Sequence, residues 1–394
     1  MILDNIESNI ANGESVPVTA YKSARAVAGL VESHFERHHR SVSKYDGQEL
    51  APKPDAKTIE AIIDTTFWAS LRREEGRSPK ISIAFIPPKC AVNPLVFGEK
   101  LPFTSNTLTK LAPAVERSGI HLGVWMEDNM LYIWGTTRVI PGLCFVLEVI
   151  EPGMLVIKHR RVDGFGKFVN VAVLKGDQVK IVDEDSGSVR DCPSIINSMI
   201  GFTSPNLWND SLNLLVQLAV SMRGHERGGI LLVVPTNKEE WRKSIIHPIT
   251  YPVQPAFSEL SELYREYLLD PHPGKSQSQL SSAINGLAGL TAVDGATIIN
   301  DHYELLAFGA KIGRAPGGHP VEEMLVTEPV IGNKGIVVHP VQTGGTRHLS
   351  AAQFVFDQRD SIALVASQDG RFTIFSWSPC EGKVQAHRVD ALLL

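Results

Sequence analysis

MRGHERGGILLVVP, residues 222–235, changes character in mid-stretch. Its first part closes LNLLVQLAVSMRGHERGG (212–229), which reads as a helix with a glycine stop. Its second part, ILLVVP (230–235), is an unbroken apolar run ending on a proline. Such a run suits a strand buried on both faces, and a strand of that kind needs helices on either side of its sheet. The C-terminal half of the chain is therefore predicted to be a mixed central β-sheet flanked by helices, an α+β or α/β arrangement.

Downstream segments fit that frame. NKEEWRKSI reads as a polar turn or short helix, FSELSELYREYLLD (256–269) as a helix, PHPGKSQSQ (271–279) as a flexible link and LSSAINGLAGL (280–290) as another helix. AVDGATIIN (292–300) and YELLAFGAKIG (303–313) predict a hairpin around Asn300, Asp301 and His302. GIVVHPV (335–341) reads as a strand, a helix starts near Thr346, and SIALVASQ (361–368) and RFTIFSW (371–377) form a final hairpin around a DG turn.

Upstream, residues 18–43 predict a helix with Ala24, Val27, Leu30, Val31 and Phe35 on one face. Arg37, His38, His39 and Arg40 close it, where cations suit the negative end of the helix dipole. A second helix covers about 56–74, and KISIAFIPP (80–88) alternates like a strand. SNTLTKLAPAVERSG (105–119) predicts a helix capped by Ser105 and stopped by Gly119. From 120 to 184 short strands follow one another, beginning with HLGVWMED and MLYIWGTT around an Asp-Asn turn at 128–129, and they predict an antiparallel sheet. KHRR (158–161) reads as a solvated strand edge and VDEDSG (182–187) as a polar turn. The chain turns polar around 201–209, so the domains are expected at 1–204, an α+β unit with no nameable catalytic motif, and 205–394.

Composition limits the function classes. The 394 residues are 43% hydrophobic and 21% charged with a net charge of −5, which is ordinary for a soluble protein and argues against a nucleic-acid coating role. Cys90, Cys144, Cys192 and Cys380 suit neither a disulfide framework nor a zinc site. With no leader-like N-terminus and no run near ~18 apolar residues, the expectation is a cytoplasmic protein without a membrane span.

Two stretches carry chemistry. In GGTRHLSAAQF (344–354), Gly344 and Gly345 allow close approach or positive φ, Thr346 can cap a helix, and first-turn amides favour an anion. Arg347 can grip phosphate oxygens in pairs, and His348 can donate a proton or bind a metal. The plain alternative is a glycine loop feeding a capped helix. In Asp294-Gly295-Ala296, a carboxylate at a strand start can meet a cation, or it can simply sit in a tight turn.

Taken in order, DGATII, the strand ending FGAKI, GGTRHLSAA and the hairpin ALVASQDG resemble the diadenylate cyclase domain over roughly residues 205–378. That family carries a DGA motif and a GTRHR motif, then a helix and a strand ending near Ser-Glu-Glu. The resemblance implies ATP with Mg²⁺ or Mn²⁺, and a homo-oligomer with facing sites that condenses two ATP to cyclic di-AMP and releases pyrophosphate. It implies Asp294, Arg347 and His348 as catalytic residues, Gly295, Ala296, Gly345, Thr346 and Arg347 around the nucleotide, and Asp294, His348 and Asp369 as metal contacts. Two positions depart from the pattern: Leu349 stands where the family has a second arginine, and Ser367-Gln368-Asp369 replaces Ser-Glu-Glu. Losing charge there weakens transition-state stabilisation more than ground-state binding. A receptor for ATP or a cyclic dinucleotide is thus the alternative to an active cyclase, and a scaffold with caps and turns is the third reading.

Overall fold

The computed structural model describes residues 20–42, 50–161, 168–183 and 210–394 apart from 270–273, with a few positions between 193 and 199. Cys192, most of VDEDSG and the polar 201–209 stretch lie outside the described residues. The chain divides into two units, Met1–Val162 with Val171–Val179, and Asp163–Asn170 with Lys180–Leu394. Both are mixed α+β. Among the described residues no helix is long and apolar enough to cross a membrane.

In the first unit, α1 (Lys22–Val42) buries Ala24, Val27, Val31 and Phe35, while Leu30 falls off that stripe and is exposed. His34 and His38, one turn apart, are buried with His159; the three ring centroids stand 4.2, 5.3 and 5.7 Å from one another. His39 and Arg40 stand in the last turn of α1 as expected, but His38 packs inward and burial pulls the proton affinity of His39 down, while Arg40 also pairs with Glu36. α2 (Ala56–Ser70) is capped by Asp55, which accepts from the Thr58 amide at 2.8 Å. α3 (Ser105–Leu111) is shorter than predicted. Its cap is Thr104 rather than Ser105, and a Pro-containing 3₁₀ turn at Ala112–Val115 replaces its last part.

The first unit is built around an eight-stranded sheet. Its strands are β1 (Ser82–Phe85), β2 (Leu95–Pro102), β3 (His121–Glu127), β4 (Met130–Thr137), β5 (Phe145–Glu151), β6 (Met154–Arg160), β7 (Phe168–Lys175) and β8 (Gln178–Ile181). Their spatial order is β2-β4-β3-β1-β5-β6-β7-β8. The β3–β4 turn falls at Asp128 and Asn129, as the sequence predicted, and both residues take positive φ. The sheet is mixed rather than antiparallel, because β1 and β3 are joined by a crossover through β2 and α3 and run parallel. KHRR is not a solvated edge either. β6 lies between β5 and β7, Lys158 is buried in an ion pair with Glu148, and His159 is 1% exposed.

From residue 210 the second unit contains α4 (Asp210–Gly224) and β9 (Gly229–Val234), the six residues of β9 all being buried. Leu231 and Val233 pack with Leu218 of α4, Leu260 of α5 (Glu259–Leu269) and Ile284 of α6 (Gly274–Leu290). Ile230, Leu232 and Val234 pack on the opposite face with Ala351, Phe354 and Val355 of α7 (Thr346–Asp357). The apolar run at 230–235 thus has a core on each side, as predicted. The other strands are β10 (Tyr251–Phe257), β11 (Ala296–Asn300), β12 (Leu305–Ala310), β13 (Met324–Thr327), β14 (Ile336–Val338), β15 (Ile362–Ala366), β16 (Phe372–Ser378) and β17 (Lys383–Arg388), in the order β10-β12-β11-β9-β15-β16-β17-β13-β14. Residues 274–279, expected in a link, are the first turns of α6.

The two sheets share one plan. β1 through β7, taken in chain order, occupy the same sheet positions as β9 through β12 followed by β15 through β17. Each sheet has a parallel pair at its centre, β1 with β3 and β9 with β11, and the neighbouring pairs out to β2 or β10 and to β6 or β16 are antiparallel in both.

Candidate functional site

β9 and β11 run parallel and start at the same end of the second sheet, and antiparallel β15 finishes there. Gly228, the Asp294–Gly295 turn and the β15–β16 turn at Ser367–Arg371 are therefore neighbours, one strand spacing of about 5 Å from one to the next. Arg347 joins them from α7. A Cβ on Gly228 would stand 3.0 Å from Arg347 Nη1 and 3.2 Å from the Ala366 carbonyl oxygen. The Asp294 side chain is exposed. Gly295 takes φ +107°, and a Cβ there would fall 2.5 Å from the Gly309 carbonyl carbon. A Gly295→Ala protein is accordingly expected to lose about 1–3 kcal/mol, read as a lower urea midpoint; an unchanged midpoint would show that the turn relaxes freely.

The glycine-rich loop does not use the positive φ that glycine permits. Neither Gly344 nor Gly345 takes positive φ. A Cβ on Gly344 would fall 2.4 Å from the His348 ring, so this glycine makes room for the histidine. Gly345 is the N-cap with no side-chain cap bond, and Thr346 is the exposed first residue of α7 rather than its cap. The Thr346 and Arg347 amides belong to the turn that lacks intrahelical acceptors. His348 is buried, with Nε2 3.2 Å from Thr373 Oγ1 on β16 and its ring edge-on to Phe375. Burial lowers its proton affinity, while Asp369 pulls the other way and Arg371 adds to the lowering.

Leu349 is half-buried and packs on the α7 core. An arginine at this position would have to turn out of that packing. Asp369 is exposed, and its Oδ2 is 3.2 Å from Arg371 Nε. Its carboxyl is held below the usual range chiefly by a hydrogen bond from Ser367. Gln368 is exposed, and Ala296 puts its methyl group in the core, so only its backbone borders the edge. Asp294, Gly295, Thr346, Arg347 and Asp369 thus gather around one end of the sheet, while His348 and Ala296 face inward.

Motif reading missed an aromatic pair beside this end. Tyr251 on β10 stacks on Phe308 of β12 at 4.7 Å and 15°, and the Tyr251 ring lies against Gly309, next to the Asp294 carbonyl. Neither alternation nor an apolar run in YPVQPAF marks it as a strand. Among the described residues no three His, Cys, Asp or Glu side chains form a metal cluster. Asp294 fits a divalent ion that draws its remaining ligands from substrate phosphates and water. His348, held on Thr373, fits such an ion poorly.

Residues 48–138 match a family described as a probable sensor domain, DACNV. The match runs from α2 to β4, in the region to which the motifs assigned no role, and makes it similar to a sensor domain linked to diadenylate cyclases. No curated protein matches the chain. Among solved structures, the chain is similar to one described as the crystal structure of the hypothetical membrane spanning protein from Bacillus cereus, at 12% identity and a TM-score of 0.27, over 49% of this chain and 70% of that one.

Proposed function

We propose that the second unit binds a nucleotide at the Asp294–Gly228–Arg347 end of its sheet, and that the chain is a nucleotide receptor of the diadenylate cyclase type. The observation that carries this reading is the meeting at one sheet end of the Asp294 carboxylate turn with the start of α7 and its Arg347 guanidinium, two distant parts of the chain. Arg347 and the Thr346 and Arg347 amides would take phosphate oxygens. Asp294 would hold Mg²⁺ or Mn²⁺ together with those phosphates, and the ion would neutralise their charge. The Tyr251–Phe308 pair offers a face on which a base can stack. His348 acts from below, by positioning the loop.

The receptor reading is favoured over turnover by Leu349 in place of a cation, packed against the core, by Asp369 held on Arg371, and by the similarity of residues 48–138 to a sensor domain. Condensation of two ATP to cyclic di-AMP, by two such edges facing each other in a homo-oligomer, is the second reading, favoured by Asp294 beside the required Gly295. Calorimetry with ATP, AMP and cyclic di-AMP in the presence of Mn²⁺ tests binding. Arg347→Ala is expected to weaken the nucleotide by about tenfold or more, the loss of a charged hydrogen bond. Failure of the folded protein to bind any of the three would overturn the proposal. Chromatography after prolonged incubation with ATP separates receptor from cyclase.

A further inference from the structure

The shared strand plan allows the two units to be aligned residue by residue when the first pair of each central parallel ladder is matched, Ile230–Ala296 with Ile83–Leu122. In the second unit, Ile230 pairs with Ala296, and the residue before each is a glycine, Gly229 and Gly295; Gly229 also faces Ala366. In the first unit, Ile83 pairs with Leu122, the residues before them are Ser82 and His121, and Ser82 faces Glu148. Positions that carry nothing larger than a methyl group in the second unit thus carry three polar side chains in the first. These join one another. His121, 1% exposed, has Nδ1 2.7 Å from Ser82 Oγ; Ser82 Oγ donates to Glu148 Oε1 at 3.2 Å; and Glu148 pairs with Lys158, itself 8% exposed. Pulling this chain of bonds apart to admit a ligand would strand buried polar groups, which is costly. The first unit also has no counterpart of α7 among the described residues, because residues 138–144 lead directly from β4 to β5.

We infer that the first unit is a second copy of the second unit's fold whose ligand edge is locked shut by Ser82, His121, Glu148 and Lys158, so that each chain offers one nucleotide edge and not two. For its ligand, though not for its lock, the inference rests on the nucleotide reading of the second unit. A reaction joining two nucleotides then has to bring two chains together, and whatever the sensor-like region detects is not read at this edge.

Hydrogen exchange of the full chain, with and without ATP and Mn²⁺, tests both parts. Without ligand, Glu148→Ala is expected to speed exchange at 81–83 and 120–122 by tenfold or more and to leave 228–231 and 294–297 unchanged. The double variant Glu148→Gln, Lys158→Met, which keeps the bulk but removes the charges, serves if the single one fails to fold. Unchanged exchange at 81–83 and 120–122 in both would overturn the lock. With saturating ATP, slowing of about tenfold is expected at 228–231 and 345–349, with none at 81–83 and 120–122, and calorimetry should give one nucleotide per chain. Slowing at both edges, or two nucleotides per chain, would overturn the inference while leaving the nucleotide proposal standing. Slowing at neither would sink the nucleotide proposal, and the lock would then be decided by the ligand-free comparison.

Discussion

A Glu148→Ala protein unfolds about 3–5 kcal/mol more easily than its parent, the cost of removing one partner from a buried ion pair. The pair qualifies as buried: the Lys158 and Glu148 side chains are 10% and 22% exposed, and both lie on interior strands. The variant takes from the Lys158 ammonium its carboxylate and from Ser82 its acceptor. Urea titration by circular dichroism reads the loss. The diagnostic companion is Glu148→Leu with Lys158→Met, which should recover most of it, since an apolar pair of similar size often replaces a buried ion pair at little cost. A single variant within 0.5 kcal/mol of the parent would place the pair in water.

Acid is the second large lever. Stability is expected to fall by about 3 kcal/mol between pH 6.5 and 4 through His387 alone, following the linkage slope of ~1.4 kcal/mol per pH unit. His387 is 4% exposed, and burial draws its pKa down to about 4. The sign follows from which state binds the proton first. Below about pH 6.5 the unfolded chain takes it up while the folded chain does not, so the contribution is complete above that pH and drains as pH falls towards 4. His159 acts in the same direction, held well below its ordinary value by burial first and then by the His34 and His38 rings beside it. Urea midpoints at half-unit steps from pH 7.5 to 4 provide the test. His387→Asn should flatten part of the slope, and an identical slope in that variant would remove His387 as the cause.

What could be read from the sequence divides along physical lines. β9 was legible because burial on both faces leaves an unbroken apolar run, and the β3–β4 turn because Asp-Asn tolerates positive φ in both residues. β2 and β10 were missed because they are sheet edges exposed on most positions, where neither alternation nor apolarity is imposed. The parallel pairing of β1 with β3 is set by a crossover and not by either strand's pattern. The shared plan of the two sheets was invisible for a related reason. It resides in strand order and register, and the matched positions have opposite chemistry, Gly229 against Ser82 and Gly295 against His121. At the candidate site, the motifs lead to residues that gather at one sheet end, but not to the inward turn of His348, which depends on Gly344 leaving space one helical turn away.

That inward turn makes His348 a pin. One end of it is fixed in the first turn of α7, and the other rests on Thr373 of β16, the strand that leaves the hairpin bearing Asp369 and Arg371. The loop with Arg347 and the hairpin opposite are thus tied to each other through one buried side chain. On the other wall the exposed Asp294 side chain has no such pin, and it stands on a turn that only glycine allows.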